Sequence, residues 1–148
     1  MSAYIVVDAS VAGAWSFTEP YTAQAQSVLV AIEQHRVTAL VPDRFAEEVM
    51  RICQKKTLPP PAGASIAPDD AWDRFIDVVT SPIVLLPSEE LHAPAWQLAT
   101  TLGLTTHDAL YLALADMWGT ELWTLDAGLA SQHHHFKVKD LRNEPFTY

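Results

Sequence analysis

Short apolar runs alternate with stretches of helical periodicity along this chain, and two of those runs end on an aspartate. Tyr4 to Val7 is apolar and β-branched and stops at Asp8; Leu122 to Leu125 stops at Asp126. A run of this kind suits a strand buried on both faces, which in turn requires helices above and below it. Thr38 to Val41, Ile83 to Leu86 and Phe136 to Val138 read as three further strands. Between them the spacing predicts a helix capped by Ser10 and running through Trp15, and others over 22–34, 43–56, 69–79, 88–102 and 107–118. In the last of these, Leu110, Ala113, Leu114 and Met117 fall at i, i+3, i+4 and i+7. Strands alternating with helices imply an α/β fold with a mainly parallel central sheet covered on both faces.

A chain of 148 residues suits one domain, here 1–148, and 49% hydrophobic residues suit a packed core rather than a disordered chain. The segment 57–68, with Pro59, Pro60, Pro61, Pro68 and Gly63, reads as a loop too short to separate domains. Cys53, the single cysteine, has no internal disulfide partner and falls on the apolar side of its helix. No apolar run reaches the roughly 18 residues that span a bilayer, and MSAYIVVDAS lacks the basic start and long apolar stretch of a signal peptide. The expectation is a cytoplasmic protein with no membrane partner. A formal charge of −9 argues against a whole-molecule grip on nucleic acid.

The position of certain acids is more informative than their number. Asp8 and Asp126 close strands, and Asp108 opens a helix after Leu104-Thr105-Thr106. In open α/β sheets ligand chemistry collects beyond the carboxyl ends of the strands, so these three can share one rim. Singly, each is also an ordinary turn or cap residue. Glu48 is a fourth candidate. With Phe45 at zero and about 100° per residue, Val49 lies near 40°, Ile52 near 340° and Glu48 near 300°, whereas Glu47 falls near 200°, away from the apolar face. Glu48 thus borders buried surface, where a carboxylate is costly without a partner; Glu47 is free to pair with Arg51 at i+4. Carboxylates gathered in one site repel one another unless a cation joins them. Hard oxygen ligands with no nearby Cys or His suit Mg²⁺ or Mn²⁺ better than zinc, and such ions support in-line phosphoryl displacement.

Four segments carry a resemblance. VVDASVAGAW at 6–15, VPDRFAEEV at 41–49, LTTHDALYLALA at 104–115 and LWTLDAGLA at 122–130 resemble, in order and across nearly the whole chain, the motifs of PIN-domain ribonucleases, the nearest type being the VapC toxin of bacterial toxin–antitoxin pairs. The resemblance implies a PIN-like three-layer α/β/α sandwich and a Mg²⁺-dependent endoribonuclease. It also implies a homodimer and a cognate antitoxin that blocks the site. The family acids match Asp8, Glu48, Asp108 and Asp126, which would hold the metal directly or through water. Thr124 and Ser10 match small hydroxyl positions near it. Arg51 stands where many relatives carry Asn, and the 57–68 loop is irregular.

On the same helical wheel Arg44 lies near 260°, Arg51 near 240° and Lys55 near 280°, so a basic stripe flanks Glu48 along which an RNA backbone can run. The alternative is a solvated helix face. Trp15 and Trp96 read as core or dimer residues and Trp123 as packed, while His133 to His135 cannot all face one ion from a regular element. His107 reads as a surface residue at a helix start, within reach of substrate. Two other functions stay open at this level: a catalytically silent PIN-like binding module, and an aspartate-based phosphotransfer protein. The second wants another acid beside Asp8 and a late lysine, where the chain has Ser10 and Asp126.

Overall fold

Each apolar run becomes a strand because it has two faces to bury. In the computed structural model, which describes residues 3–148, these are β1 (Ala3–Val7), β2 (Val37–Pro42), β3 (Ile83–Leu86), β4 (Glu121–Thr124) and β5 (Val138–Asp140). Met1 and Ser2, which belong to the stretch tested for a leader, lie outside the described residues. Ile5, Val6 and Val7 have no exposed surface at all, so β1 forms the middle of the core. The strands pair in the order β3–β2–β1–β4–β5, and every pair is parallel, so the sheet is wholly rather than mainly parallel.

The helices are α1 (Ala9–Ser16), α2 (Thr22–Glu33), α3 (Arg44–Lys56), α4 (Pro68–Val79), α5 (His92–Leu102), α6 (Thr106–Trp118) and the single turn α7 (Ala127–Ala130). The chain steps from β1 through β2 to β3, then returns past β1 to β4 and β5. Right-handed crossovers therefore put α1–α4 on one face and α5–α6 on the other, giving three layers. Packing follows this division: α1 lies against α2, α3 and α4, α5 lies against α6, and α6 lies on β1 and β2. No helix among the described residues is long and apolar enough to cross a membrane.

Several expectations shift for physical reasons. Ser10 does not cap α1; Asp8 holds the cap position, and the Ser10 hydroxyl, within the first turn, donates to the Asp8 carboxylate instead. The 88–102 helix is divided into a 3₁₀ turn at Glu89–Leu91 and α5, with Pro94 placed early in α5 where its missing N–H costs nothing. Helix α6 carries no simple apolar stripe: Ala109 through Ala115 are all buried, whereas Met117 is half exposed. It is enclosed by β1, β2, β4 and α5 along its middle and emerges only at its end. Strand β5 begins two residues later than expected, because the backbone at Phe136 is still closing the turn after the histidines. Trp96, at 65% exposure, is not a core residue, while Trp15 and Trp123 are buried. Gly103 and Gly119 end α5 and α6 at φ of 68° and 60°, the left-handed region that glycine enters without strain.

Candidate functional site

The chain reverses its direction of travel across the sheet at β1, and the crevice this opens lies between the carboxyl ends of β1 and β4. Val7 pairs with Trp123, so Asp8 leaves β1 beside Thr124, two residues before Asp126. Asp8 is 6% exposed and is held from two sides. Ser10 Oγ donates to its Oδ1 at 2.6 Å, and Thr124 Oγ1 donates to its Oδ2 at 3.0 Å. Each hydroxyl in turn accepts a backbone N–H from the turn after β4: Leu125 N–H to Ser10 at 3.1 Å and Asp126 N–H to Thr124 at 2.9 Å. A hydroxyl has one proton, so accepting from an amide fixes that proton toward the carboxylate. The Asp126 carboxylate caps α7 by accepting from Leu129 N–H at 2.9 Å.

Glu48 enters from α3, which buries Phe45, Val49 and Cys53 and leaves Glu47 exposed, as the helical wheel requires. Glu47 stands 4.0 Å from Arg44 rather than pairing with Arg51. Asp108 sits in the first turn of α6, its N–H donating to the capping Thr105 hydroxyl at 3.1 Å. Asp8, Glu48, Asp108 and Asp126 thus come from four separate places in the chain to line one open cleft of about 400 Å³, with Ser10, Arg44, Arg51 and His107 also in its wall. Lys55 is not among the lining residues, and Thr124 stands behind Asp8, fully buried. Among the described residues no group of three His, Cys, Asp or Glu side chains is already gathered closely enough to hold a metal ion.

This arrangement raises the proton affinity of three of the four acids. Burial, reinforced by the nearby Asp126 and Glu48 charges and opposed by the Ser10 and Thr124 hydrogen bonds, pushes Asp8 up to about 7. Burial raises Glu48 as well, against the opposing pull of His107, and burial and then Asp126 raise Asp108. Carboxyls shifted this way in a cleft are a recognised sign of a working site.

Two residues of the site stand outside the set predicted from the sequence. Tyr111, one turn after His107 on α6, is 1% exposed, and its hydroxyl has no hydrogen-bond partner among the described residues; nor has the buried Glu48 Oε1 that it lies near. The available signal was its spacing, three residues after Asp108. His107, read as a surface residue, has Nε2 3.2 Å from Arg44 Nη2 and Nδ1 3.5 Å from Glu48 Oε1.

No family model and no curated protein sequence matches the chain. Solved structures do. PAE2754 from Pyrobaculum aerophilum superposes with a TM-score of 0.66 at 22% identity, covering 96% of this chain and 93% of that one. VapC20 of Mycobacterium tuberculosis, a sarcin–ricin loop cleaving toxin, gives 0.67 at 12% identity over 89% and 95%. VapBC2 from Rickettsia felis, bound to a DNA fragment from its promoter, gives 0.66 at 11% identity over 93% and 98%. This chain has the PIN fold. The match extends over nearly the whole of each of these structures, so the four acids lie on an architecture shared nearly in full.

Proposed function

We propose that this chain is a Mg²⁺-dependent endoribonuclease, served also by Mn²⁺, and the toxin of a toxin–antitoxin pair. The observation that carries this reading is the convergence of Asp8, Glu48, Asp108 and Asp126, from separate elements, on one cleft at the switch point of the sheet. Three features support a hard divalent cation there. The donors are carboxylate oxygens. Burial and mutual repulsion raise the proton affinity of Asp8, Glu48 and Asp108, a cost that a cation removes. Glu48 Oε1 is buried and, among the described residues, has no hydrogen bond, its nearest polar neighbour being His107 Nδ1 at 3.5 Å. The spread of the four acids fits attachment partly through water, since Mg²⁺ keeps several of its own waters. When bound, the cation supplies Lewis acidity, making water at the phosphodiester more acidic and offsetting charge that builds on the phosphoryl oxygens.

The chain's own residues then divide the work. Asp8, rigidly oriented by Ser10 and Thr124, holds the innermost position. Glu48 from α3 and Asp108 from α6 line the cleft with Asp126, the most exposed of the four. Arg44 and Arg51, in the cleft wall, pair with backbone phosphates and bring one phosphodiester over the acids. Water attacks phosphorus and the bond to the 3′ oxygen breaks, leaving a 3′-hydroxyl and a 5′-phosphate. A homodimer and a cognate antitoxin that covers this cleft complete the reading. The assembly of VapBC2 on promoter DNA is a property of that relative that lends it support. The test is RNA cleavage by the purified protein with Mg²⁺ and with EDTA, beside Asp8→Asn and Asp108→Asn. Cleavage abolished by EDTA and by either substitution is expected; unchanged cleavage by both variants would defeat the assignment.

A further inference from the structure

Helix α6 presents two side chains, one turn apart, toward a single carboxylate on the opposite layer. His107 and Tyr111 are i and i+4, and both lie near Glu48 of α3: Nδ1 of His107 is 3.5 Å from Glu48 Oε1, and the buried Tyr111 hydroxyl is close to the same carboxyl. The other ring nitrogen of His107 is 3.2 Å from Arg44 Nη2. Guanidinium has only donors, so this contact is a hydrogen bond only if Nε2 is the acceptor. In the neutral ring the proton must then sit on Nδ1, which is the nitrogen that faces Glu48. Arg44 therefore selects the tautomer, and the tautomer directs an N–H at the Glu48 carboxylate. Among the described residues these two side-chain contacts are the ones made by the ring nitrogens.

We propose that His107 is a positioning residue that ties the phosphate-binding Arg44 to the metal-binding Glu48, holding both in fixed relation across the mouth of the cleft. The inference rests on the nuclease reading for the roles of those two partners. It adds that a residue with no place among the four acids sets how well one of them is presented. Partners that orient a ligand typically weaken metal affinity 10- to 100-fold when removed.

Two substitutions separate position from bulk. His107→Leu fills the space without polar atoms, whereas His107→Gln carries one acceptor and one donor that can face Arg44 and Glu48 as the ring does. Mn²⁺ binding to the RNA-free protein, followed by electron paramagnetic resonance, is expected to weaken roughly 10-fold in His107→Leu and to stay within about threefold of wild type in His107→Gln. The KM for RNA should rise in His107→Leu, and this rise should vanish in an Arg44→Gln background. Nitrogen-15 NMR of the imidazole should show the neutral ring protonated on Nδ1, shifting toward Nε2 in Arg44→Gln. The proposal is overturned if His107→Leu binds Mn²⁺ and RNA as the wild type does, if Gln restores no more than Leu, or if the ring is protonated on Nε2. Wild-type protein that neither binds Mn²⁺ nor cleaves RNA, with the Nδ1 tautomer present, would instead defeat the nuclease reading and this inference with it.

Discussion

Asp8 concentrates the tension of the whole site in one side chain. Its carboxyl is pushed up to about 7 by burial, against 3.8 for the free group. The folded state therefore keeps a proton that the unfolded chain has already released. Between pH 4 and pH 7 the folded state binds more protons, so the Asp8 contribution to stability falls as pH rises and levels off above 7. A shift of this size corresponds to about 4 kcal/mol. Without divalent cation, Asp8→Asn is expected to be more stable than the wild type at pH 8 and to lose that advantage near pH 4, as measured by urea unfolding. An advantage that does not change with pH would contradict the buried, proton-hungry carboxyl. Thr124→Val acts on the same group from behind. It strips Asp8 of one hydrogen bond and leaves the Asp126 N–H without its acceptor. A loss of about 1–3 kcal/mol in urea unfolding is expected, the cost of orphaning buried polar groups.

At the scale of elements, the site depends on where α3 and α6 begin and how they end. The helical wheel separates Glu48 from Glu47 because α3 has one buried face, and a single face is legible from spacing. It does not work for α6, which is buried along its middle on every side; Met117 was expected inside and stands outside. For the same reason the roles of His107 and Tyr111 are not legible in the sequence, since their value lies in an approach to α3 that no local pattern records. Gly103 and Gly119 fix the ends of α5 and α6 at positive φ, and a Cβ there meets nothing within 4 Å. Substitution by Ala at either is therefore expected to cost only conformational strain, about 1–2 kcal/mol by thermal or urea unfolding. A neutral result would mean that the helix end relaxes.

The whole molecule carries a charge of −9, which argued against a nucleic-acid partner. In the proposed reading four of those charges belong to the metal site, and RNA is gripped locally. Arg51→Glu, in the cleft wall, is expected to weaken RNA binding and flatten its dependence on salt; Lys55→Glu, outside the lining, should do less. Equal effects measured by salt titration would favour a diffuse basic face over a groove. Mg²⁺ should raise the melting temperature of the wild type more at pH 8 than at pH 5, because the cation competes with protons for the same carboxylates. An equal rise at both pH values would place the ion elsewhere.

By itself the sequence determined the alternation of strand and helix, the α/β class and the identity of the acids at element ends, because these follow from local periodicity and from which residues close a buried run. The tertiary structure decided that Ser10 serves Asp8 rather than the helix, that Lys55 stands outside the cleft while Arg44 and Arg51 line it, and that His107 and Tyr111 face Glu48. Those outcomes depend on the distance between segments far apart in the chain, which is set by how the layers pack and not by any residue's neighbours in sequence.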